Sequence, residues 1–270
     1  MAIGLILLGI SLLSVWLSRD AKIWGGLFIS SVLIGLAASR ISWEGILIIG
    51  AWAFLWFYYL KVKTFESKVF LFATLVFLSF GFKLHLFPGF NPIKISPRFY
   101  LGYMTPIIGL FPLALLVPLA SKKKDWKIIW TTGIGYSLAG IAALAILALA
   151  AGAVHWNFKW PSYPAIRYLS NLVLITIPEE AFYRGFIQRE LCSFLPSSKG
   201  GKCLAVVVTS LLFSLSHLYW SPSLAILGFV FLASLLYGWV YMASGKIESA
   251  IICHFLLNFI HMTFFTYHAM

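Results

Sequence analysis

Long apolar runs separated by short polar breaks organise the chain. They fall at 1–18, 23–39, 45–60, 69–87, 103–120, 128–153, 166–178, 203–219, 222–243 and 247–267, the seventh continuing into an acidic motif. Several approach the ~20 residues that a helix needs to cross the hydrocarbon core of a bilayer. Backbone N–H and C=O groups find no water there, so such runs become helices that satisfy their own hydrogen bonds. The pattern predicts an all-α, polytopic integral membrane bundle of about 8–10 transmembrane helices. Pro106, Pro112 and Pro118 predict that 103–120 is broken or re-entrant. The first run has neither a basic n-region nor a small-x-small cleavage pattern before Arg19, and reads as a span rather than a removed leader. Alanine and glycine throughout 128–153 suit close helix packing. Aromatic residues near the ends of 23–39 and 45–60 read as interfacial belts. The stretch 87–102, from Phe87 through Arg98 to Tyr100, reads as an ordered loop or interfacial segment whose aromatic-basic mix touches headgroups in preference to a substrate. The tract 154–168 reads as a polar interfacial loop in which His155 is solvated. No internal repeat and no soluble appendage is visible.

Composition sharpens this picture. With 61% hydrophobic residues, 10% charged residues and a mean hydropathy of +0.94, a soluble domain is excluded. The net charge of +12 would otherwise suggest nucleic acid, but no basic stretch is interleaved with stacking aromatics in a soluble domain. Loop lysines and arginines facing anionic headgroups account for it. An N-terminus outside puts fourteen of the twenty on the cytoplasmic side, Arg184 and Arg189 among them. Arg40, Lys83, Lys94, Arg98, Lys159 and Arg167 remain opposite. The acidic motif then lies toward the cytoplasm, and the short loops suggest the inner membrane of a prokaryote. Cys192, Cys203 and Cys253 form no disulfide framework and no Cys-x-x-Cys.

Candidate chemistry begins with Glu179 and Glu180, two of only eight acidic residues, placed against an apolar helix. Carboxylates there are costly unless paired, protonated or working. Glu180 and Arg184 are four apart on a helix and can pair. Glu179 lies about 100° round and is left to point elsewhere. His217 ends the run 203–219, four residues after Phe213. His254 and Asn258 share one face of the last run, and His261 continues it by one turn. A glutamate beside a histidine can bind and deprotonate water. A facing histidine and asparagine can donate to an oxygen that becomes negative in acyl transfer. That set describes amide hydrolysis by water without a covalent intermediate.

Blander readings stand beside it: a helix end with a surface ion pair, and histidines that merely pack. Glu179, His217, His254 and His261 are also candidate zinc ligands for a metalloprotease or metal transporter, although no His-Glu-x-x-His is present. Ser137, within Gly133–Gly140, is followed by Leu138 and reads as part of a small-residue packing face, not a serine nucleophile. The only aspartates, Asp20 and Asp125, lie in short basic loops, which excludes an aspartyl intramembrane protease. Cys253 adjoins His254 on a helix, where neighbours do not face each other.

Taken in order, Glu-Glu-x-x-x-Arg (Glu179, Glu180, Arg184), Phe-x-x-x-His (Phe213, His217) and His-x-x-x-Asn (His254, Asn258) resemble the CPBP family. These are glutamic intramembrane proteases related to CAAX prenyl endopeptidases and to bacteriocin-processing and immunity proteins. Gly185, and Gly238 and Gly245 before His254, are similar too. The resemblance divides the chain into residues 1–160, transmembrane helices without a recognisable motif, and 161–270, a catalytic membrane core. It implies Glu179 as general base for water, assisted by His217. It implies His254 and Asn258 as oxyanion stabilisers, and Glu180 with Arg184 as an orienting pair. An exchange of roles between Glu179 and Glu180 stays open, and His261 lies outside the pattern. The implied activity is an intramembrane endopeptidase without cofactor or metal. Its substrate would be the C-terminal region of a membrane-anchored or lipidated protein, or a hydrophobic leader peptide. The implied surroundings are the lipid bilayer and not nucleic acid. The alternative is a non-catalytic binding or immunity protein that uses the same polar cavity.

Overall fold

The computed structural model describes residues 3–97, 99–219 and 223–267; Arg98, counted above among the outer charges, lies outside the described residues, as do the start of the first run and the start of 222–243. The described residues are 76% helical. Among them, five helices are long and apolar enough to cross a membrane: α3 (Trp43–Lys61), α4 (Phe65–Lys83), the continuous stretch Lys123–Ala150, α12 (Leu224–Ser244) and α13 (Ile247–Phe264). Helices α1 (Ile3–Leu17), α2 (Ala21–Ala37) and α5 (Met104–Leu115) are apolar but shorter. The protein is an integral membrane protein of the all-α class.

The chain packs as two units, Met1–Leu116 with Val173–Phe182, and Val117–Leu172 with Tyr183–Met270. In the first, α1 lies along α2 and α5, with close approach permitted by small residues. The Ser31 hydroxyl donates to the Gly4 carbonyl at 2.6 Å, and Ser11 donates to the Trp24 carbonyl at 2.6 Å. Helix α5 is the centre of this unit: every residue but Thr105 and Leu115 is buried. It runs for only 12 residues with Pro112 inside it, in keeping with a broken span. Its last carbonyls, which no helical N–H reaches, accept from Arg19: Leu113 at 3.2 Å and Ala114 at 3.0 Å.

One aromatic expectation is corrected in part: Trp56, near the end of 45–60, is 0% exposed and its ring meets that of the buried Trp52 edge-on at 6.0 Å, whereas Phe57 and Tyr58 beside it are exposed. The stretch after α4 is partly a hairpin of β1 (Ile93–Ser96) and β2 (Phe99–Leu101), and Phe87 and Phe90 pack inward on Phe82. Burial of large rings against neighbours outweighs the interfacial preference at these positions.

The second unit begins with α6 (Lys123–Ile128), a π-helical turn π1 (Ile129–Gly133) and α7 (Ile134–Ala150). Ser137 on α7 donates to the Gly133 carbonyl at 2.7 Å, and Gly140 abuts Leu236 of α12, so this face packs as its small residues predict. The expected loop 154–168 holds a strand, β3 (Val154–Trp156), with His155 exposed. The last run yields its end to β4 (Phe265–Tyr267), antiparallel to β3. From Pro164 the chain is helical without a break to Phe194: α8 (Pro164–Ser170), π2 (Asn171–Thr176), α9 (Ile177–Phe182), π3 (Tyr183–Gln188) and α10 (Arg189–Phe194). Helix α11 (Lys199–Leu215) follows, and α12 ends at Gly245, whose φ of 64° is the left-handed cap that glycine adopts without strain.

Candidate active site

Glu179 and Glu180 sit on α9 in the first unit, and what holds α9 is its fit against α5. Gly109 faces the Pro178 backbone so closely that a Cβ there would collide with its Cα and carbonyl oxygen. Two residues before Gly109, the Ile107 carbonyl accepts from the Trp52 indole at 3.3 Å. The Trp52 ring in turn meets Phe82 at 5.3 Å and Phe182 at 6.2 Å. Next to Phe82, Lys83 ends α4, and its ammonium donates to Glu179 Oε1 in an ion pair. Those side chains are 11% and 4% exposed. The acid that helical phase leaves over is therefore met by a cation 96 residues upstream. Lys83 is not an outer loop charge. Just beyond α4, burial and then the neighbouring Lys83 charge hold the His85 imidazole below its ordinary pKa. Glu180 is fully buried.

In the second unit the motif residues gather on Phe213 of α11. The His217 ring lies 4.6 Å from it and that of His254, on α13, meets it edge-on at 5.8 Å. Tyr237 of α12 stacks on His254 at 4.5 Å, with 12° between the planes. Arg184, placed by π3, sets its guanidinium over Phe213 at 5.0 Å and Tyr237 at 5.3 Å. Its Nη2 donates to the Ser234 carbonyl at 2.8 Å and hydroxyl at 2.7 Å. One turn on, Gln188 donates to the Gly238 carbonyl at 3.0 Å; a side chain at 238 would press on Gln188 Oε1 and Val206. Arg184 is thus a fully buried member of this cluster, not the cytoplasmic loop charge that the break after 166–178 suggests.

The histidine tautomer follows from these partners. His217 Nδ1 lies 2.8 Å from the Phe213 carbonyl, which can only accept. In the neutral ring the proton is therefore on Nδ1, and Nε2 carries the lone pair. His254 is 4% exposed, stacked on Tyr237 and edge-on to Phe213. Asn258 is one turn farther along α13, and its amide donates to Asn171 Oδ1 at 3.2 Å. His261 follows by another turn.

Phe213, His217, His254 and Arg184 are thus brought together within the second unit, with Asn258 one turn away; Glu179 and Glu180 belong to the first. Lys83, Ser234, Tyr237 and Asn171 escaped the sequence reading. Only Tyr237 had a signal nearby, the Gly238 that follows it. Among the described residues no three His, Cys, Asp or Glu side chains are grouped to hold a metal ion.

Comparisons with curated proteins and with solved structures returned no match. Residues 161–260, which carry every one of the motif residues, are similar to a family whose model is described as "Type II CAAX prenyl endopeptidase Rce1-like".

Proposed function

We propose that the protein hydrolyses a peptide bond near the C-terminus of a membrane-anchored or lipidated protein, or in a hydrophobic leader peptide, using water activated by Glu179 and His217. The observation that carries this reading is the commitment of His217 Nδ1 to the Phe213 carbonyl, which leaves Nε2 as an acceptor. Glu179 takes the proton from water as the oxygen adds to the scissile carbonyl. A carboxylate has roughly four lone-pair sites, so the Lys83 ammonium on Oε1 does not exhaust it. Negative charge gathers on the former carbonyl oxygen, where N–H groups of His254 and Asn258 stabilise it. The carbon–nitrogen bond then breaks, and the proton held by Glu179 passes to the departing amine. Arg184 and Glu180 orient the helix that bears the acid. The inner membrane of a prokaryote, with the site toward the cytoplasm, is the proposed setting.

Mass spectrometry of membrane-protein C-termini, in cells with the intact chain and with Glu179→Ala, tests the reading. Shortened C-termini should depend on Glu179 and persist in purified protein treated with a chelator. Identical C-termini in both strains favour a binding protein, and activity lost on chelation favours a metal-dependent enzyme.

A further inference from the structure

An oxyanion donor works only if its N–H already points at the place where charge will develop. Asn258 is half-buried and ends a short flexible side chain, so something must fix its amide. The seam between α8–π2 and α13 supplies that. Tyr168 and Phe259 rings meet at 4.8 Å. Thr263 spends its own hydrogen on the Phe259 carbonyl at 2.6 Å, so in the 2.8 Å contact it is Tyr168 that donates to Thr263. These contacts set the register of the two helices. Asn171, about one turn on from Tyr168 and the first residue of π2, then presents Oδ1 to the Asn258 amide at 3.2 Å. The –NH2 of an amide is planar, so holding one N–H fixes the direction of the other.

We propose that Asn171 is the positioning residue of Asn258: by accepting one of its amide hydrogens it aims the second at the developing oxyanion. This rests on the role given to Asn258 in the proposed hydrolysis. Asn171 touches no reacting atom. Its loss therefore lowers the rate of the chemical step and leaves substrate binding alone.

The test is a cycle of Asn171→Ala, Asn258→Ala and the double variant, with kcat and KM measured on full-length protein and folding checked by thermal unfolding in detergent. Asn171→Ala should lower kcat about 10-fold at unchanged KM, a part of the roughly 10²–10³-fold loss expected for Asn258→Ala. In the Asn258→Ala background it should have no further effect. Asn171→Asp, which still accepts, should keep most of the rate; Asn171→Ser serves as a milder truncation where alanine disturbs folding. An unchanged kcat, an equal loss in the Asn258→Ala background, or a change confined to KM overturns the assignment while leaving the hydrolase reading intact. A wild-type chain that cleaves nothing overturns the hydrolase reading, and this role with it.

Discussion

The two units hold a buried charge by different means. In the first, Glu179 is met by an opposite charge, Lys83, brought from the end of another helix. In the second, Arg184 is met by a carbonyl, a hydroxyl and the faces of two rings. An ion pair out of water concentrates its stabilisation in one contact, so that loss of either member strands the other. A cradle of dipoles and π-faces spreads it over several weaker contacts, each of which can fail alone. The acid-bearing unit should therefore be brittle toward a single substitution, and the histidine-bearing unit graded.

The largest effect is expected at the ion pair. Lys83→Ala removes this cation from the buried Glu179 carboxylate and should destabilise the protein by about 3–5 kcal/mol, read as thermal unfolding in detergent. Adding Glu179→Gln should recover most of that loss. A Lys83→Ala protein as stable as wild type would mean that the pair holds nothing.

Arg184→Lys keeps the charge but loses the planar fork and much of the ring contact. It should cost about 2 kcal/mol, within the range of hydrogen bonds to charged groups, and less than Lys83→Ala. A greater loss at 184 than at 83 would reverse the contrast between the units.

The smallest effect falls on Tyr237. Tyr237→Leu removes the ring stacked on His254 and should cost about 0.5–1.5 kcal/mol, whereas Tyr237→Phe keeps the stack. In a cleavage assay the leucine variant should slow hydrolysis and the phenylalanine variant should not. Equal rates in both would show that the stack does not orient His254.

Legibility in the sequence follows the range of the interactions. Apolar runs report burial from lipid and water directly, and 203–219, 222–243 and 247–267 became α11, α12 and α13 within a few residues. The His254 and Asn258 spacing was readable because one helix carries both. A charged side chain inside a helix looks, to hydropathy alone, like a loop, and so Lys83 and Arg184 were placed at the surface. Lys83 and Glu179 are 96 residues apart, and Asn171 and Asn258 are 87 apart; no local periodicity joins them. The β3–β4 pairing escaped for the same reason: two three-residue segments carry too little pattern to announce each other. Phe213 was visible as a motif residue, but its service as the common face for His217, His254 and Arg184 needs two other elements, α13 and π3, to be in place.

In the proposed hydrolysis Glu179 and His217 act on one water. Single-turnover cleavage of a substrate found by C-terminal mass spectrometry, measured for Glu179→Ala, His217→Ala and the double variant, tests it most directly. Residues that act as a unit are strongly non-additive. Each single change should lower the rate by about 10²–10⁴, and the double should be no slower than the slower single. Losses that multiply in the double variant, or full activity in either single, would contradict a shared water.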